Sequence, residues 1–141
     1  MTDEKIELRG GSPLLQVYDM PTALHFYRDA LGFEVVTTSP ALGLPDQFHW
    51  VMLRLGGAEV MLNTAYESDD ERPAVPDAAR VAAHGDTTLY FGCPDVDGAY
   101  ERLRGKISGL KPPADAWYGM RQLSFCDPDG FGICLQWPTG K

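Results

Sequence analysis

The chain has 141 residues, 44% of them hydrophobic and 11% aromatic, which suits one domain around one core and excludes a disordered chain. Its net charge of −8 at pH 7 speaks against nucleic acid and anionic membrane surfaces as partners, because their phosphates would be repelled. No apolar run approaches the roughly 20 residues of a membrane helix, and no basic stretch followed by an apolar one opens the chain, so a cytoplasmic protein is expected.

Residues 1–10 read as a polar arm with a short edge strand at Ile6-Glu7-Leu8, and 13–17 as the first strand. Asp19 is placed to cap a helix by accepting an amide hydrogen bond from its first turn. Pro21 follows where a missing N–H costs nothing. Ala23, Phe26, Tyr27 and Ala30 recur at helical spacing, and Gly32 lies where a left-handed C-cap favours glycine. Residues 33–38, aromatic and β-branched, leave as a strand. A turn-rich loop leads to 48–55, which alternates as a strand does, and Gly56-Gly57 turns it into a hairpin with 58–64. The stretch 66–85, rich in Asp, Glu, Pro and Ala, reads as a linker with a short helix at 76–85. Then come a strand at 87–93, a helix at 95–105, a strand at 120–125, the turn Asp127-Pro128-Asp129-Gly130 and a last strand at 131–137. Cys93, Cys126 and Cys134 form no C-x-x-C pair and are expected as reduced thiols. Two of them lie in apolar strand-like runs as small hydrophobes.

The second half repeats the first. Asp19 and Ala23 recur as Asp95 and Ala99, 76 residues on, and the hairpin strand Gly57-x-x-Val60-Met61-Leu62-Asn63 recurs as Gly130-x-x-Ile133-Cys134-Leu135-Gln136, 73 residues on. Each half is then one βαβββ unit, and an isolated half could not bury its sheet. Val17, Asp19, Ala23, Phe26, Tyr27, Leu31, Gly32 and Phe33 together spell V-x-D-x-x-x-A-x-x-F-Y-x-x-x-L-G-F. This pattern resembles the start of proteins of the vicinal oxygen chelate superfamily, which includes glyoxalase I, extradiol dioxygenases, fosfomycin-resistance transferases and metal-free bleomycin-binding proteins. The resemblance implies an α+β fold of two tandem βαβββ modules, at about 10–65 and 86–138, forming a curved mixed sheet around a ligand cavity. One glyoxalase/bleomycin-resistance-like domain is expected over 1–141, and, by resemblance alone, a homodimer.

The superfamily's enzymes hold a divalent metal with ligands from the first and last strands of each module. Matching the pattern puts those positions at Ser12, Met61, Thr88 and Cys134, which offer two neutral hydroxyls, a thioether and one thiol. A Zn²⁺, Mn²⁺, Ni²⁺ or Fe²⁺ centre needs imidazole, carboxylate or several thiolates, so no metal and no cofactor are expected. By strand alternation Glu59, Met61 and Asn63 share a face, as do Gly132, Cys134 and Gln136. Either His49 or Trp50 adds to the first wall, while Trp117, Tyr118, Met120 and Gln122 approach the second. Apolar walls with a few convergent polar groups describe a small-molecule pocket. The expected ligand-binding set is therefore His49, Trp50, Met61, Asn63, Trp117, Tyr118, Met120, Gln122, Cys134 and Gln136. The expected function is metal-independent binding of a planar or cationic, antibiotic-like small molecule at a dimer interface. The alternatives are a lyase or dioxygenase with a relocated metal on His49, Glu59 and Cys134, and an interaction module whose cavity has filled in.

Overall fold

The structure, a computed structural model, describes residues 4–66 and 68–140. Met1, Thr2 and Asp3 of the expected arm, and Glu67 of the linker, lie outside the described residues. The first module runs β1 (Leu14–Val17), α1 (Met20–Leu24), a π-helical turn (His25–Ala30), β2 (Glu34–Thr38), β3 (Trp50–Leu55) and β4 (Ala58–Thr64). After α2 (Ala78–His84) the second runs β5 (Thr88–Gly92), α3 (Val96–Leu103), β6 (Ala114–Asp115), β7 (Met120–Cys126) and β8 (Gly132–Pro138). The sheets have the orders β1-β4-β3-β2 and β5-β8-β7-β6. In each, the first strand lies parallel to the last and the other pairings are antiparallel. The α+β fold of two tandem modules stands as expected, with the sheet in two separate four-stranded parts.

Local chemistry accounts for the boundaries. Asp19 caps α1 by accepting from the Thr22 amide, Asp77 caps α2 from Ala79, and Asp95 caps α3 from Gly98. Gly32 takes φ +97° after the π turn, a conformation that costs glycine little, and releases the chain into β2. The arm is a correction: residues 4–13 form no strand, and Ile6 is 83% exposed. Continuous α-helix through Ala30 is a second correction. In the π turn the Leu31 amide reaches back to the Phe26 carbonyl, and this wider turn lets the consecutive Phe26 and Tyr27 both point inward.

The two modules meet through the helix sides of their sheets. Leu15, Val17, Val51, Leu53, Val60 and Leu62 bury one face of the first sheet against α1. The same cluster takes in Phe131 and Ile133, with Leu89, Phe91, Phe125 and Leu135 packed on it. Thus α1 and its π turn lie between the two sheets, with Phe26 against Phe125 and Phe33 against Phe91. The opposite faces of both sheets look away from this shared core.

The turn at Asp127-Pro128-Asp129-Gly130 joins the modules. Asp127 and Asp129 are only 5% and 6% exposed. Asp127 accepts from the Tyr27 hydroxyl (2.6 Å) and from the amides of Asp129 and Phe131 (2.8 and 2.9 Å). Asp129 accepts from the Tyr18 amide of the first module (2.7 Å), and its carbonyl lies 2.7 Å from His84 Nδ1 on α2. The His84 ring stacks on Phe131 at 3.9 Å, which ties the linker down as well. Burial raises the carboxyl pKa of both aspartates, that of Asp129 to about 6, with the Asp127 charge adding to the rise.

Candidate functional site on the open sheet faces

A strand turns alternate side chains to opposite faces, so the burial of Val51, Leu53, Val60 and Leu62 sends their neighbours outward. The open face of the first sheet therefore carries Leu14 and Gln16 from β1, Trp50, Met52 and Arg54 from β3, and Glu59, Met61 and Asn63 from β4. The register sets Trp50 opposite Asn63, Met52 opposite Met61 and Arg54 opposite Glu59. Asn63 also lies beside Gln16, and its Nδ2 donates to Gln16 Oε1 at 3.3 Å. Arg54 holds Glu59 at 3.0 and 2.6 Å, so this carboxylate is committed to an ion pair.

The second sheet repeats the arrangement. Leu123, Phe125, Ile133 and Leu135 face the helices, which sends Tyr90, Met120, Gln122, Cys134 and Gln136 to the open face. Gln122 Nε2 donates to Gln136 Oε1 (2.9 Å) and to the Tyr118 hydroxyl (2.7 Å). Asn63 and Gln136 are equivalent in the repeat, so each open face carries an amide pair, although the partner comes from the parallel strand in one (Gln16 on β1) and from the antiparallel strand in the other (Gln122 on β7). Beside the second pair, Trp117 is 95% exposed and meets Tyr118 edge to face at 5.4 Å. A groove of about 360 Å³ runs along this face past Thr88, Tyr90, Ser124, Gly132 and Cys134.

Of the ten expected ligand residues, Trp50, Met61 and Asn63 lie on the first open face and Met120, Gln122 and Gln136 on the second, with Trp117 and Tyr118 at its margin and Cys134 on the same side of the strand but only 2% exposed. His49 is the correction. It pairs across the ladder with Thr64, on the helix side of the sheet, and its Nδ1 lies 3.5 Å from Thr64 Oγ1. Trp50 therefore supplies the open-face ring at this end of β3. Within one chain the two groups do not line one cavity, because the sheets share a core on their opposite sides. Sequence reasoning passed over Leu14, Gln16 and Tyr90. Alternation in β1 and β5, anchored on the buried Leu15 and Val17, would have found them.

The superfamily's metal does not fit these residues. Ser12 Oγ is buried without a hydrogen-bond partner, yet it is one neutral hydroxyl, and Met61 adds only a thioether. Thr88 and Cys134 belong to the other sheet and add one hydroxyl and one thiol. Such a set lacks the charge and the basic donors that a divalent first-row ion requires. Among the described residues no three His, Cys, Asp or Glu side chains come together as ligands. His49, Glu59 and Cys134 in particular stand apart, the first on the helix side and the other two on different sheets.

The fold and these faces define a protein of paired βαβββ modules. Residues 11–135 match the Glyoxalase/Bleomycin resistance protein/Dioxygenase superfamily, and the chain belongs to it. A comparison with curated proteins gives no match. Among solved structures, the chain is similar to TnmS3, an antibiotic binding protein from Streptomyces sp. CB03234, at 24% identity and TM-score 0.66, covering 96% of this chain and 99% of that one. It is also similar to a glyoxalase/bleomycin resistance protein/dioxygenase from Nocardioides, at 21% identity and TM-score 0.65 over 97% and 89% of the two chains. A third likeness is to the bleomycin-binding protein of Streptomyces verticillus complexed with copper(II)-bleomycin, at 18% identity and TM-score 0.64 over 97% and 100%. At these identities the likenesses show the fold.

Proposed function

We propose that this protein binds a planar or cationic small molecule without a metal of its own, in a groove that a second copy of the chain completes. The observation that carries the reading is an amide pair on each open face, Gln16–Asn63 on one and Gln122–Gln136 on the other, each flanked by exposed or half-exposed aromatic rings. Amides fix the orientation of a flat polar ligand and the rings of Trp50, Trp117 and Tyr118 stack on it. A cationic ligand also gains from the net charge of −8. The need for a second copy follows from the two half-sites looking away from each other, and from the edges that each sheet leaves at β1 and β5. Binding of antibiotics by TnmS3 and of copper(II)-bleomycin by the Streptomyces verticillus protein supports the class of ligand.

The test is a titration with the planar cation proflavine, read as quenching of tryptophan emission, on protein first analysed for bound metal. Saturable quenching that Trp117→Ala and Gln122→Ala each weaken about tenfold is the expected result, a loss typical of one stacking or hydrogen-bonding partner. Near-stoichiometric metal together with metal-dependent thermal stabilisation would sink the reading.

A further inference from the structure

A cleft of about 570 Å³ opens on the helix side of the molecule, between the end of the π turn, the β3–β4 hairpin and α3. It is separate from both open sheet faces. Its apolar wall comes from Leu31, Phe33, Phe91 and Leu135. Arg102 and Lys106, from the last turn of α3 and just beyond it, stand at its margin.

The charges around the cleft are unequally engaged. Asp29 is bound by Arg28 (2.8 Å), which lowers its pKa and keeps it ionised and paired. Asp95 is turned back onto its own helix, accepting from the Gly98 amide at 2.9 Å. Cys93 is partly buried, and that burial raises its thiol pKa, so it adds a neutral wall. The side chains of Arg102 and Lys106, by contrast, make no ion pair or hydrogen bond among the described residues. Lys5, Arg80 and Lys111 also form no ion pair among the described residues, so what singles out Arg102 and Lys106 is their place at the cleft. Arg9, Arg28, Arg54, Arg72, Arg104 and Arg121 each hold a carboxylate. The volume falls within the range of small-molecule sites, about 300–1,000 Å³.

We infer that the inter-module cleft is a second binding site, for a small organic carboxylate whose apolar body lies on Phe33 and Phe91 and whose head is held by Arg102 and Lys106. The site does not depend on the open-face reading, and its ligand has the opposite charge. A carboxylate is favoured over a neutral or cationic head because, among the described residues, the charged side chains at the margin left without a partner are these two cations.

The test is calorimetric titration of the full chain at low salt with 4-phenylbutyrate, and with 4-phenylbutan-1-ol and 4-phenylbutylamine as neutral and cationic counterparts. The expected result is saturable 1:1 binding of the carboxylate with a Kd at or below about 1 mM, and at least tenfold weaker binding of the other two. Arg102→Gln with Lys106→Gln, both exposed and so harmless to folding, should weaken the carboxylate at least tenfold. Trp117→Ala and Gln122→Ala should leave it unchanged. No carboxylate binding, equal binding of the three heads, or an undiminished double variant would overturn the site. Loss of carboxylate binding in Trp117→Ala would place it on the open face and overturn it equally.

Discussion

Tyr27 and Asp129 show how single side chains hold the modules together and at what cost. Tyr27 is fully buried, and its hydroxyl is a partner of the buried Asp127 carboxylate. Tyr27→Phe keeps the ring contacts with Phe26 and Phe33 but leaves Asp127 Oδ2 short of a donor. A loss of about 1–3 kcal/mol at neutral pH is expected, read from urea unfolding midpoints. Asp129 acts in the other direction. Its carboxyl binds a proton more tightly folded (pKa about 6) than an unfolded aspartate does (about 3.9). Between those values folding takes up a proton, so this group's contribution to stability falls as pH rises and is least favourable above about 6. The neighbouring Asp127 charge reinforces the effect, while His84, Arg80 and the Tyr18 amide oppose it. Asp129→Asn should therefore be more stable than the wild type by about 1–2 kcal/mol at pH 7, with the difference closing by about pH 4. Parallel pH profiles for the two proteins would contradict this origin of the shift.

The three helices are capped alike but are not equally important to the core. Asp19 and Asp77 each accept an amide hydrogen bond at a helix start. However, α1 buries Met20, Ala23 and Leu24, whereas α2 buries no residue. Asp19→Ala should cost about 1 kcal/mol of global stability. Asp77→Ala should fray the start of α2 locally and cost less than about 0.5 kcal/mol globally, since α2 buries no residue and is anchored at its other end, by His84 on Phe131. Urea midpoints with amide exchange across α2 separate the two cases. Much at this scale was legible in the sequence, because caps, Gly32, the Gly56-Gly57 hairpin and the 76-residue repeat are local or periodic signals. The π turn was not, because it answers to Phe125 and Asp127, 99 and 100 residues away from Phe26 and Tyr27. The strand β6 is two residues long and exists only through its pairing with β7. Between His49 and Trp50 the sequence left the choice open for a similar reason: alternation gives two faces, and only the packing of Val51 and Leu53 says which one is inside.

At the scale of the whole molecule, the open-face residues of the hairpin strands could be read from their alternation, but Leu14, Gln16 and Tyr90 on the parallel strands were missed and the arrangement of the two faces could not be read. Which sides of the sheets meet is decided by tertiary contacts such as Phe33 on Phe91 and Tyr18 to Asp129, and neither leaves a sequence pattern. The same contacts opened the inter-module cleft, which no single segment encodes. With the helix sides joined, Leu14 remains 48% exposed on the edge strand β1, beside Met61 on an uncovered face. If a second copy completes the groove, Leu14 lies where that copy must approach, and a charge there would have to be desolvated for association. Leu14→Lys is therefore expected to leave the folded chain intact, since Leu15 and Val17 carry the core side of β1. It should weaken self-association at least tenfold, as the cost of burying an unpaired ammonium requires. Sedimentation velocity across a concentration series measures this directly, and proflavine binding should fall in step with the dimer population. A wild type that stays monomeric at high concentration yet binds the dye would show that one open face suffices.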